Sequence, residues 1–176
     1  IISDLDSFTK SHEKDIIPIM KNLVLDYNNV TSLAIAGNSG SGKSYTLTYL
    51  LSHLKQISNL IIIDPKFDTP SRWARENGIA VIHPRRNRSK SDFVSEINEN
   101  LSDSLNLIQQ RQEILYVNPN HRFDHLTIVI DEVLALSEGV NKTIKDSFFS
   151  LMSQIALLGR ATKVHLLLVS QRFDHN

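Results

Sequence analysis

The eight residues Gly37-Asn38-Ser39-Gly40-Ser41-Gly42-Lys43-Ser44 constrain this chain more than any other stretch. They fill every fixed position of G-x-x-x-x-G-K-[ST], the pattern of a phosphate-binding P-loop. The flanks agree with it. Ser32-Leu33-Ala34-Ile35-Ala36 is short, apolar and preceded by Asn28-Asn29, which predicts a buried strand. Leu47, Leu50, Leu51 and Leu54 recur at helical spacing, so a helix opens at Lys43 or Ser44. A strand, a glycine loop and a helix N-terminus aim several backbone N–H groups at one spot, which is a ready anion site.

Each residue type in the loop has a physical reason. The glycines let backbone amides approach phosphate oxygens with no Cβ in the way. Lys43 reaches the β- and γ-phosphates as a mobile point charge, and Ser44 offers Mg²⁺ a hydroxyl. Tyr45, on the opening turn of the helix, joins Gly37–Ser44 among the expected nucleotide contacts. A serine–glycine linker would not sit between an apolar strand and an amphipathic helix. The expected ligands are therefore a nucleotide carrying β- and γ-phosphates, and Mg²⁺.

The rest of the chain alternates strand and helix. Residues 1–22 form a lead-in, with a short helix expected after Asp6 or Ser7 and interrupted at Pro18. Leu23-Val24-Leu25 predicts a short strand before the P-loop strand. Leu60–Ile63 is a second buried strand ending in Asp64-Pro65-Lys66, and Pro70–Asn77 a short helix stopped by Gly78. Ile79–Ile82 is a third strand. Phe93, Ile97, Leu101, Leu105, Ile108 and Leu115 keep one apolar face of a long helix, broken at Asn118-Pro119-Asn120. Leu126–Ile130 is a fourth strand ending in Asp131-Glu132. Val140 to Leu158 marks another amphipathic helix, capped by Gly159, and Val164–Val169 a fifth strand ending in Ser170-Gln171-Arg172. Such alternation means a mostly parallel sheet with helices on both faces, an α/β fold.

With 176 residues the chain suits one domain, 1–176. It begins at Ile1 and stops a few residues after an apolar strand, which reads as a piece of a longer protein. Cysteine is absent, so disulfides and thiolate metal sites are excluded, and no apolar run reaches the roughly 18–20 residues of a membrane span. Formal net charge is zero, so any nucleic-acid binding must come from local patches. The expected location is the cytoplasm, with any membrane tether outside these residues.

In open parallel sheets ligands gather at the carboxyl ends of the strands. The P-loop, Asp64, Asp131-Glu132 and Gln171 all fall there. Asp131, after four apolar residues, reads as the Walker B aspartate that holds Mg²⁺ with Ser44. Glu132 is the natural general base for the water attacking the γ-phosphate. Gln171 is placed to orient that water or sense the γ-phosphate. For Gln171 to stand beside both Lys43 and Asp131, the fifth strand must lie between the P-loop strand and the Walker B strand.

Together and in this order, the P-loop, Asp64-Pro65-Lys66, Val129-Ile130-Asp131-Glu132 and Gly159-Arg160-Ala161-x-x-Val164-His165-Leu166 leading into Ser170-Gln171-Arg172 resemble FtsK/SpoIIIE-type ATPases. The resemblance spans roughly residues 23–172. It implies a RecA-like P-loop NTPase fold and a hexameric motor that moves double- or single-stranded DNA in conjugative transfer or in chromosome or plasmid segregation, with membrane-anchored or conjugation-machinery partners. It also implies that Arg160 is an arginine finger reaching the neighbouring subunit's ATP; a helix C-terminal arginine complementing the dipole is the structural alternative. Arg160 precedes the fifth strand's N-terminal end, at the edge of the sheet opposite the P-loop. Phe173 stands where the family has proline after Gln-Arg.

Arg85, Arg86, Arg88 and Lys90 form the one concentrated basic run, either tracking DNA phosphates or forming a solvated loop. Lys142 and Lys145 are weaker candidates for the same role. His121 and His125 share a spacing that some metal sites use but lack a carboxylate motif, and Trp73 and Phe67 read as packing. Two alternatives stand beside the DNA motor: an FtsK-like ATPase of a type VII protein-secretion system, and a non-catalytic nucleotide-binding module. Intact Lys43, Asp131, Glu132, Gln171 and Arg160 argue against the last.

Overall fold

The computed structural model describes residues 16–20, 23–37 and 42–171, with side chains from Asp26 onward. Its frame is a five-stranded parallel sheet: β3 (Ser32–Ala36), β4 (Ser58–Ile63), β5 (Val81–Ile82), β6 (His125–Ile130) and β7 (Val164–Ser170). The lateral order is β3-β7-β6-β4-β5, so β7 does lie between the P-loop strand and the Walker B strand. Ahead of the sheet, β1 (Ile16–Met20) and β2 (Leu23–Asp26) form a separate antiparallel hairpin.

Alternation along the strands divides the core in two. Ile62, Val129, Leu167 and Val169 face α1 (Lys43–Ile57) and α2 (Thr69–Glu76), where Leu47, Leu50, Leu51, Leu54 and Trp73 close over them. Ile61, Ile63, Ile128, Ile130 and Leu166 face the other way, against α3 (Lys90–Val117) and α4 (Lys142–Thr162). The strands β4, β6 and β7, covered on both faces, read as apolar runs, whereas β3, expected to be buried, is the edge strand and is exposed or half-buried at every residue. Each long helix carries its own start signal. Ser89 and Asp92 form a capping box on α3, and the Asn141 side chain accepts from the Ile144 N–H on α4. Among the described residues no helix is long and apolar enough to cross a membrane.

Several expectations shift. Pro18 lies within β1, where no helix is interrupted; the remainder of that expected helix is outside the described residues. β5 is only two residues long, pairing with Ile62 and Ile63 alone. A 3₁₀ turn at Val133–Ser137, not foreseen, follows Glu132. Gly159 does not cap α4. The helix runs on to Thr162 and closes at Lys163 in the left-handed conformation (φ 63°). Glycine is needed at 159 for another reason: a Cβ there would stand 2.0 Å from the Val164 carbonyl oxygen. Finally, β7 neighbours β3, so Arg160 lies at the far end of the strands, not at a far lateral edge.

Candidate active site

The carboxyl ends of β3, β4, β6 and β7 open into one cleft of about 390 Å³, lined by Gly42, Lys43, Ser44, Asp131, Glu132 and Gln171 together with Lys66 and the start of α2. Backbone bonds tie these ends together. Gly37 N–H donates to the Ser170 and Gln171 carbonyls, and Asp131 N–H donates to the Ile63 carbonyl. Gly42 holds φ 86° as the N-cap of α1 and supplies no side-chain cap. The first-turn amides of Lys43, Ser44 and Tyr45 thus have no side-chain acceptor from the cap, the arrangement that accepts a phosphate.

Glu132 follows β6 in the left-handed region (φ 49°), a costly conformation for a residue with a Cβ. It stands in the cleft, where its Oε2 accepts from Lys43 Nζ at 3.0 Å and lies 3.7 Å from Lys66 Nζ. Asp131 beside it is buried, and its carboxyl is pushed up to about 6, chiefly by burial and then by the charges of Asp64 and Glu132. Lys43 and a backbone hydrogen bond pull the other way. A carboxylate under that pressure favours a nearby cation.

Asp64 departs from the expected grouping. It is fully buried, and it accepts hydrogen bonds from the backbone N–H groups of Lys66, Asp68 and Ser71 and from the Ser71 hydroxyl. It serves as a remote N-cap for α2, whose own N-cap, Asp68, makes no such bond. Tyr45 is 79% exposed and lines a neighbouring groove along β3. Asn38, Ser39, Gly40 and Ser41 lie outside the described residues, as do Arg172 and Phe173.

Arg160 sits away from the cleft, exposed on the last turn of α4. Most of the basic run is partnered. Arg85 pairs with Glu96 and Arg88 with Asp92, and Lys90 Nζ donates to the Ala135 and Glu138 carbonyls. Arg86 is exposed. Lys142 pairs with Asp146 at 2.6 Å. Trp73 is buried as expected, whereas Phe67 is 62% exposed and stacks on His83. His121 and His125 form no metal cluster among the described residues; His125 instead bonds His165 in the core. Sequence reasoning gave Lys66 no role of its own. Its signal was its place three residues beyond the end of a strand.

The family described as the AAA domain matches residues 28–173. The chain belongs to the AAA domain family. It is 22% identical over 169 residues to the FtsK domain-containing protein YdcQ of Bacillus subtilis (strain 168), covering 92% of this chain and 34% of YdcQ. Among solved structures it is similar to the pCW3 conjugation coupling protein TcpA, in a monomer form with ATPγS (TM-score 0.71, 22% identity, 90% of this chain and 48% of that one). It is also similar to the cytoplasmic domain of the type VII secretion ATPase EccC of Thermomonospora curvata (TM-score 0.61, 25% identity, 86% and 20%). The chain thus spans about a third of the curated relative and half of TcpA or less. The FtsK/SpoIIIE-type resemblance and the RecA-like α/β fold are borne out.

Proposed function

We propose that this AAA domain is the motor of an ATP-driven DNA translocase, working in conjugative transfer or in chromosome or plasmid segregation. The observation that carries the ATPase reading is the meeting of Lys43, Ser44, Asp131, Glu132 and Gln171 in one cleft from separate strand ends. The first turn of α1 and Lys43 hold the phosphates. Ser44 and Asp131, both hard oxygen donors, suit Mg²⁺, which when bound neutralises charge on the β- and γ-phosphates. Gln171 orients the attacking water, and Glu132 takes its proton as the bond from phosphorus to the ADP oxygen breaks. Arg160 serves a neighbour's site in a homo-oligomeric, hexameric ring. The cytoplasm, where ATP and DNA meet, is its proposed location.

DNA as cargo rests on the likeness to a conjugation coupling protein and an FtsK-domain protein. The likeness to EccC supports a second reading, a secretion motor that moves polypeptide. Partnering of Arg85, Arg88 and Lys90 leaves Arg86 as the best candidate of that run for DNA phosphates. The test is ATPase activity of the longest assembling form, with and without duplex or single-stranded DNA. Stimulation by DNA is expected, Lys43→Ala should abolish turnover, and Glu132→Gln should bind ATP without turnover. Stimulation by a secretion-signal peptide and not by DNA would transfer the reading to the second class.

A further inference from the structure

Lys66 has no part in the scheme above, yet the fold fixes it firmly. The buried Asp64 carboxylate holds the Lys66 N–H on one oxygen and the N–H groups of Asp68 and Ser71 on the other. Phe67, next along, is locked at φ 53° with its ring stacked on His83, centroids 4.1 Å apart. The short loop between β4 and α2 is therefore clamped on both sides of Lys66, and its side chain reaches the cleft. Its Nζ is 3.7 Å from Glu132 Oε2, the same oxygen that Lys43 holds at 3.0 Å.

Two cations on one carboxylate oxygen matter because Lys43 has a competing duty. A phosphate on the first turn of α1 draws Lys43 toward itself. Glu132 is only 11% exposed at its side chain and adjoins Asp131, with Asp64 close enough to act on Asp131's charge. A carboxylate left there without a cation bears its desolvation uncompensated. Lys66, half in solvent, is free to follow it.

We propose that Lys66 is a positioning residue that takes over Glu132 when the nucleotide's phosphates engage Lys43. The inference rests on the ATP-binding reading of the cleft. Lys66 holds the base in place for the water while Lys43 serves the phosphates, and it makes ATP binding and release of Glu132 one coupled event.

The test is a double-mutant cycle on binding of ATPγS by calorimetry, which needs no turnover and no assembly. Thermal unfolding checks that each variant is folded. Lys66→Met should weaken binding about tenfold in the wild type, and Lys66→Arg should stay within about threefold of it. In a Glu132→Gln background, where no charge needs a new partner, Lys66→Met should change affinity less than about twofold. An equal loss in both backgrounds would make Lys66 a direct phosphate ligand and overturn the proposal. No loss in either would reduce the pair to a surface contact and overturn it too. Failure of the ATP reading itself would show before Lys66 is touched, as wild-type protein that binds no ATPγS or as undiminished binding by Lys43→Ala; either overturns the inference with it.

Discussion

His125 and His165 sit at the amino end of the sheet, their rings bonded Nδ1 to Nε2 at 2.7 Å beneath the stacked ring of Tyr27. The Tyr27 hydroxyl shares a hydrogen bond with Thr127, and Thr127 shares one with Ser58, so polar groups pair inside the core. Burial, and then the His125 ring, press His165 down to about 3; Lys163 and Arg111 add to this, against a bond to the Val30 backbone. The unfolded imidazole titrates near 6.5, so below that pH the unfolded chain binds the proton that the folded one refuses. His165 therefore contributes stability that is full above about pH 6.5 and is lost progressively as pH falls toward 3. Urea unfolding at pH 7.5 and pH 5 should differ by about 2 kcal/mol from this group, and His165→Asn should flatten that difference while lowering stability at pH 7.5. An unchanged slope in the variant would assign the acid sensitivity elsewhere. This pair was illegible in the sequence, because its members lie 40 residues apart and meet only through strand register. Lys43, Asp131 and Glu132 were legible for the opposite reason: a loop motif and an apolar run ending in acids are local patterns. Asp64 fell between the two cases. Its position at a strand end was readable, but its turn inward to cap α2 depends on Ser71, seven residues on.

Among the elements, the long amphipathic helices announced themselves because burial on one stripe leaves a helical period, and the strands covered on both faces because they leave an unbroken apolar run. Helix α4's end did not. Glycine at 159 signals a stop, yet the helix continues to Thr162 because a tight approach to β7, not a left-handed cap, demands the missing side chain. Gly159→Ala would gain up to about 1 kcal/mol in helix propensity. Against that stands a Cβ 2.0 Å from Val164's carbonyl oxygen and 3.1 Å from its carbon, backbone atoms that cannot swing aside. Crowding costs typically about 1–3 kcal/mol, and an overlap this close with backbone stands at the upper end, so the net loss is about 2 kcal/mol and the melting temperature falls by about 4–8 °C. Moving Val164 also moves β7, the strand that carries Gln171 to the cleft, so nucleotide affinity should fall with stability. A melting temperature equal to or above the wild type's would show that α4 and β7 separate freely. The apolar run Ile79–Ile82 marked β5 but overstated it, since only Val81 and Ile82 pair, and the 3₁₀ turn after Glu132 left no trace, being too short for any period.

At the scale of the whole molecule, the sheet separates the cleft from Arg160. The cleft lies at the carboxyl ends of the strands, while Arg160 lies where α4 delivers the chain into the amino end of β7. The seven residues of β7 span roughly 20 Å at about 3.3 Å each, beyond the reach of an arginine side chain, so Arg160 cannot serve its own subunit's γ-phosphate. It is exposed, and Leu157, one turn earlier on the same helix face, is 80% exposed, which fits a surface meant for a neighbour. In a head-to-tail ring that face meets the next subunit's cleft. An isolated subunit should then bind ATP but hydrolyse it slowly, short of the about 10³–10⁵-fold that an arginine finger supplies. The decisive measurement mixes two inactive, assembly-competent proteins: Lys43→Ala, intact at Arg160, and Arg160→Ala, intact at Lys43. Where a Lys43→Ala subunit presents Arg160 to an Arg160→Ala neighbour, one complete site forms, so mixed rings should recover a fraction of wild-type turnover that rises and falls with the mixing ratio. If assembly is confirmed and no mixture recovers activity, Arg160 belongs to the α4 terminus, complementing its dipole, and the finger must be sought on another face.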